Sequence, residues 1–227
     1  MSRYKFRLAG RLAGFILVAL VLYFSFRNQI IRQPLPTWLQ EQNSVDALVN
    51  GANRDNITAY TKAILDPADM HLPKLKCPLP DLSRYKELKP VNAAKSQTQY
   101  FFTMNLRECL PLLPRLIGSM VEAIRFLGLE RCAISIVKGN SADGTAEVLA
   151  ALNPILDKLT GGRMHLVLSS DIDPLAAVAG ERFTKLADLR NIALRPMLDE
   201  PERYSDATVV FLNDVAICLK DILELVL

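Results

Sequence analysis

From Gln99 onward, short apolar runs alternate with amphipathic stretches. This alternation is the strongest constraint on the fold, because strands that alternate with covering helices assemble into a mainly parallel sheet. Residues 100–104, 132–137, 164–169 and 207–212 read as strands. Residues 110–127, 145–159 and 181–195 read as helices, the last expected to stop at Pro196, which has no amide hydrogen to continue a helical ladder. In the first helix Leu112, Leu113, Leu116, Met120, Ala123, Ile124 and Leu127 recur at helical spacing and mark its inner side. The expected class is therefore α/β, with no tandem repeat or low-complexity tract.

Two of the strands run out into polar turns, and in an open α/β sheet the carboxyl ends of the strands are where ligands bind. The first turn is Asn140-Ser141-Ala142-Asp143-Gly144-Thr145, between a strand and a helix. Asp143 is placed there to accept hydrogen bonds from a base or ribose, although Ser141 or Asp143 serving as a helix cap beside an Asp-Gly turn accounts for the same residues. The second is Asn213-Asp214 after the run Val209-Val210-Phe211-Leu212. One carboxylate and one amide oxygen suit a hard divalent cation, Mn²⁺ or Mg²⁺, that bridges phosphate oxygens; with a single carboxylate, binding without the nucleotide is expected to be weak. An Asx turn is the plain alternative. Between the two turns, Phe183, Leu186, Arg190 and Ala193 follow helical spacing, which puts Arg190 on an apolar stripe. A guanidinium there needs a partner: a diphosphate, an ion pair with Asp143 or Asp214, or a snorkelling path to solvent.

Ahead of this region, residues 12–26 carry no charge, and the run extends back to Leu8 past Arg11, enough for a short membrane span. Arg3, Lys5, Arg7 and Arg11 precede it, predicting a cytoplasmic tail over residues 1–11, an uncleaved anchor over 12–26 and a lumenal remainder. A cleaved leader fits less well, since Arg27 and its polar neighbours, not small residues, follow the run. Six Lys and Arg and no Asp or Glu fall in residues 1–32, so the formal net charge of +3 becomes −3 for the rest. That balance excludes a basic nucleic-acid surface on the folded part. Together the features point to a membrane-tethered enzyme handling a nucleotide-linked substrate.

Residues 27–96, punctuated by prolines, read as a stem with one helical stretch over 45–65. Asn56-Ile57-Thr58 is the chain's N-glycosylation sequon, and Asn56 falls on the expected lumenal side. The four cysteines allow three pairings and resemble no zinc site; burial as a free thiol is expected for at least one of Cys132 and Cys218. His71 and His165 have no ligand spacing, and no residues assemble into a nucleophilic triad, so the catalytic residues stay unassigned.

The order of strand, Asn140 to Thr145 turn, strand, Ala187-Asp188-Leu189-Arg190-Asn191-Ile192-Ala193-Leu194, strand, Asn213-Asp214-Val215 and then Cys218-Leu219-Lys220-Asp221 resembles the fungal α-1,3-mannosyltransferase family of cryptococcal mannosyltransferase and capsule-associated type. The resemblance covers residues 97–227. It implies a GT-A-like nucleotide-sugar-binding domain, a single-pass type II protein of the Golgi membrane, GDP-mannose as donor, and retaining transfer to a glycan acceptor. Carried over, Asp143 faces the nucleoside, Arg190 and Asn191 the diphosphate, and Asp214 the metal. Lys138 stands where an acidic or neutral residue is expected. The apolar end, residues 221–227, is expected to close only the donor half of such a domain, leaving an incomplete homologue that acts as a membrane-tethered binding or scaffolding protein as the second reading. A cytosolic nucleotidyltransferase, the third, conflicts with the anchor.

Overall fold

The computed structural model describes residues 54–90, 97–168, 172–175 and 180–227, all within one unit, Trp38–Leu227. The anchor segment 12–26 and residues 45–53 of the expected first helix lie outside the described residues. Among the described residues no helix is long and apolar enough to cross a membrane.

Four strands, β1 (Tyr100–Leu106), β2 (Cys132–Lys138), β3 (Met164–Leu168) and β4 (Thr208–Leu212), form one sheet in the order β3-β2-β1-β4. Every pairing is parallel, with Tyr100 opposite Cys132 and Thr208, and Ile134 opposite Met164. All four carboxyl ends therefore share one edge. The central strands β1 and β2 are buried on both faces, which is why they read as continuous apolar runs.

Side chains alternate across the sheet. On one face Tyr100, Phe102, Met104 and Leu106 join Cys132, Ile134 and Ile136 in the main core. Helices α2 (Leu113–Leu127) and α3 (Thr145–Leu159) cover that face, and six of the seven positions expected on the inner side of α2 are buried; Leu112 precedes the helix in a 3₁₀ turn and is half-buried. Each fully buried Leu or Ile contributes roughly 1.5–3 kcal/mol. On the other face lie α4 (Glu181–Asp199) and the single turn α5 (Pro201–Tyr204). There Phe101 meets the Tyr204 ring edge-on at 5.2 Å, and the Thr103 hydroxyl donates to the Ala193 carbonyl at 3.5 Å.

The structure corrects three expectations. Helix α4 does not stop at Pro196 but runs on to Asp199. A proline removes one hydrogen bond and crowds the carbonyl four residues back, but the last turn is kept by the Glu200 amide donating to the Pro196 carbonyl and by Leu194 and Met197 packing on Phe101 and Tyr204. The buried stripe of α4 is Leu189 and Ala193, not the Phe183 and Arg190 phase: Phe183 is 79% exposed and Arg190 is exposed.

The third correction concerns residues 54–90, read as stem, which are packed onto the folded domain. Helix α1 (Arg54–Leu65) buries Ile57, Ala63 and Ile64, and the 3₁₀ helix Leu82–Leu88, capped by the Asp81 carboxylate, buries Tyr85 and Leu88. A disulfide joins Cys77 to Cys218, and the Tyr85 hydroxyl donates to Glu224 at 2.7 Å. Cys132 is a buried free thiol, as expected of one of the pair, whereas Cys218 is bonded. Helix α6 (Leu219–Val226) starts with the Cys218 amide donating to Asp221 at 3.0 Å. Of its apolar residues, Ile222 and Leu223 are buried in the main core while Leu225 and Leu227 are exposed.

Candidate functional site

The polar turns meet at the carboxyl edge of the sheet. The segments after β1 and β2 lead to α2 and α3 on one face, whereas the chain after β3 leads to α4 on the other, and such a divergence opens a crevice at the strand ends.

Two loops form a single framework at this edge. The Gly139 amide donates to the Leu106 carbonyl (2.9 Å), the Glu108 amide to the Ser141 hydroxyl (2.9 Å) and the Cys109 amide to the Thr145 hydroxyl (3.2 Å). Asp143 completes it, one carboxylate oxygen accepting the Leu110 amide at 2.9 Å and the other the Thr145 amide at 3.0 Å. Burial raises the pKa of Asp143, but the Thr145 hydroxyl and the Leu110 and Thr145 amides outweigh it, so the net shift is downward and the group stays ionised. The cap-and-turn role thus holds for Asp143, and its remaining lone pairs are what it can offer a ligand. Gly144 at φ 95° supplies the left-handed turn into α3, and Glu108 at φ 44°, two residues after β1, adopts one that a side chain disfavours.

Asp214 follows β4 and is exposed, as is Asn213, whose carbonyl accepts the Val215 amide at 2.9 Å. Asp143 and Asp214 act on the same group: burial pushes the Cys109 thiol up to about 12, and both carboxylates reinforce it. Cys109 is accordingly a neutral buried thiol and not a nucleophile. Both carboxylates thus lie near enough to Cys109 to bear on its charge. Among the described residues no three His, Cys, Asp or Glu side chains gather into a metal-ligating set.

Arg190 does not pair with either carboxylate. Its guanidinium lies over the Phe211 ring at 5.5 Å, two residues before Asn213, on the α4 face. Asn191 is exposed beside it, and Asn56 is exposed on α1.

Sequence reasoning missed a second cation at the edge. Arg107, the residue after β1, pairs with Asp173 at 2.7 Å, and Asn140 reaches the same carboxylate at 3.4 Å. Two residues earlier on the same strand side, the Asn105 amide oxygen is buried, and neither it nor Arg107 Nε has a hydrogen-bond partner among the described residues. The continued alternation of 101, 103 and 105 was the available signal, hidden by ending the strand at 104. Lys138, the last residue of β2, is only 7% exposed. Burial lowers its pKa, with Glu147 and Asp143 opposing.

The chain matches the family described as cryptococcal mannosyltransferase 1 over residues 99–227. It is 30% identical over 153 residues to the alpha-1,3-mannosyltransferase CMT1 of Cryptococcus neoformans var. neoformans serotype D, covering 65% of this chain and 33% of that protein. The chain therefore spans about a third of the length of this curated relative. No solved structure matches. The matched span contains the whole sheet and every residue gathered at its carboxyl edge, and the chain belongs to the cryptococcal mannosyltransferase family.

Proposed function

We propose that this chain is the donor-binding part of a mannosyltransferase with a GT-A-like sheet, which transfers mannose from GDP-mannose to a glycan hydroxyl, α-1,3 and with retention. What supports the reading is that the family match contains the whole parallel sheet and the strand-end segments that carry Arg107, Asp143 and Asp214. A nucleoside diphosphate is the leaving group, and charge grows on it as the glycosidic bond breaks, so groups fixed near the phosphates lower the barrier. Arg190 and Asn191, exposed beside Phe211, are available to the diphosphate.

The Asp214 carboxylate and the Asn213 amide oxygen are hard oxygen donors that fit Mn²⁺ or Mg²⁺, the remaining positions falling to phosphate and water oxygens. When bound, the cation neutralises the departing diphosphate. Residues 12–26 anchor the protein in the Golgi membrane as a single-pass type II protein, the folded domain lumenal and Asn56 open to glycosylation.

Isothermal titration of the full chain in detergent with GDP-mannose and GDP, with and without Mn²⁺, tests the reading. Dissociation constants of about 1 μM to 1 mM that tighten with Mn²⁺ are expected, and absence of binding to both under every condition would refute it.

A further inference from the structure

The loop between β4 and α6 carries Asn213 and Asp214, yet its own contacts are few. Asn213, Asp214, Val215 and Ala216 are all exposed. The Val215 amide donates to the Asn213 carbonyl at 2.9 Å, a tight turn centred on Asp214. The Asp214 carboxylate enters no ion pair among the described residues. The placing of Asp214 therefore falls to the two ends of the loop.

Both ends are fixed. Leu212, buried, closes β4 opposite Met104. On the far side three separate elements converge on Ile217 and Cys218. The Ser119 hydroxyl, fully buried on α2, donates to the Ile217 carbonyl at 2.6 Å. Cys218 is bonded to Cys77, and its amide donates to the Asp221 carboxylate at the start of α6. The segment that supplies Cys77 is itself secured to α6, where Glu224 accepts from Arg84 at 3.0 Å and from Tyr85 at 2.7 Å. A hydroxyl buried as Ser119 is, on a helix face that is otherwise apolar, is tolerated because it is bonded, and the group it bonds lies just behind Asp214. Cys77 precedes the span matched by the family, residues 99–227, whereas Ser119 and Cys218 lie within it.

We propose that Ser119 and the Cys77 to Cys218 disulfide are positioning residues for the donor site: they anchor the far end of the loop 213–216, so that Asp214 is held in place before a cation and a diphosphate arrive. The inference rests on the donor-binding reading above, and it gives the segment ahead of the matched span a part in binding. The physical reason is entropic. A loop held at both ends loses little freedom when a ligand binds, whereas one released at Ile217 and Cys218 has to be ordered by the ligand. Ordering one backbone position weakens affinity by about tenfold.

Titration of GDP into the full chain in detergent, with and without Mn²⁺, tests the inference on the wild type, Cys77→Ser, Ser119→Ala and Tyr204→Leu. Both loop variants should bind GDP about tenfold more weakly in Mn²⁺, with metal-free affinity unchanged. Tyr204→Leu removes the ring packed on Phe101 on the opposite face of the sheet, so it should lower the unfolding midpoint and leave both affinities as in the wild type. Tris(2-carboxyethyl)phosphine should give the wild type the behaviour of Cys77→Ser and leave that variant as it was. Three outcomes overturn the inference: Mn²⁺-supported affinity retained in folded Cys77→Ser, equal losses with and without Mn²⁺, or the same loss in Tyr204→Leu, which would tie affinity to overall stability. Should Cys77→Ser fail to fold, Ser119→Ala must show the split by itself, and its absence there overturns the inference. If the wild type binds GDP but Mn²⁺ does not tighten it, the donor reading stands and the positioning role falls. If it binds neither GDP nor GDP-mannose under any condition, the donor reading fails and the inference with it.

Discussion

The Asp143 carboxylate accepts the Leu110 amide and the Thr145 amide, one with each oxygen, at 2.9 and 3.0 Å. Through it the loop after β1 and the loop after β2 behave as one piece, so the framework of the candidate site is set before any ligand arrives. Such preorganisation is what lets fixed dipoles act on a developing charge.

Asp143→Ala is expected to lower stability by about 1–2 kcal/mol, because it strands the amides of Leu110 and Thr145. The folded pKa of Asp143 is depressed, so its contribution is fully present above the ordinary carboxylate value of 3.8 and is lost as pH falls through the folded value. Asp69, held down to about 2 chiefly by the His71 amide, loses its contribution at the bottom of the same range. Urea unfolding between pH 7 and pH 2 should therefore show a smaller acid loss for Asp143→Asn than for the wild type. Superimposable curves would show that the loop hydrogen bonds are absent in solution.

At Gly118, helix α2 packs closely against the end of α1. A Cβ added there would lie 3.3 Å from the Ile64 carbonyl oxygen, which is backbone and cannot turn aside. In an isolated helix Gly→Ala gains about 0.5–1 kcal/mol, but this crowding opposes it, so Gly118→Ala should destabilise by about 1 kcal/mol or more. A raised midpoint in chemical denaturation would mean that α1 is not docked on the domain.

The Cys77 to Cys218 disulfide, spanning 141 residues of sequence, ties the segment after α1 to the start of α6. Its loss through Cys77→Ser is expected to cost about 2–4 kcal/mol. Dithiothreitol should lower the thermal midpoint of the wild type and leave Cys77→Ser unaffected; an equal response in both proteins would argue that the bond does not form. The lumenal topology proposed above would place the bond in an oxidising compartment, which favours it.

The strands were legible because β1 and β2 are buried on both faces and nearly every residue in them is apolar. The phase of α4 was not: 183, 186, 190 and 193 and the alternative 189, 193 and 197 both satisfy helical spacing. Tertiary contact decides, since the Thr103 hydroxyl bonds to the Ala193 carbonyl and brings that side of the helix onto β1. The stem reading rested on proline content, which marks chain direction changes but says nothing about whether Tyr85 and Leu88 find a surface to bury against. Asp143 and Asp214 were found from the strand-end rule, whereas Arg107 and its Asp173 partner depend on a contact across 66 residues that no local pattern encodes.

The position of Arg190 separates its two readings. Had it been a core ion pair, Arg190→Ala would destabilise the fold strongly, but an exposed guanidinium over Phe211 contributes only about 0.5–1 kcal/mol. Asp214 is exposed and takes part in no ion pair of the described residues, so Asp214→Ala should change stability by no more than about 0.5 kcal/mol. If both residues serve the donor, their loss must appear in binding and not in folding. Arg190→Ala should weaken GDP binding about tenfold with and without Mn²⁺, since one well-placed charged hydrogen bond is worth roughly 1.5 kcal/mol. Asp214→Ala should remove the tightening by Mn²⁺ while leaving metal-free binding unchanged. Paired titrations of the two variants, each checked for wild-type unfolding midpoint, decide the assignment: Mn²⁺ still tightening GDP binding in folded Asp214→Ala would exclude the metal role, and undiminished metal-free affinity in Arg190→Ala would leave the diphosphate to Arg107.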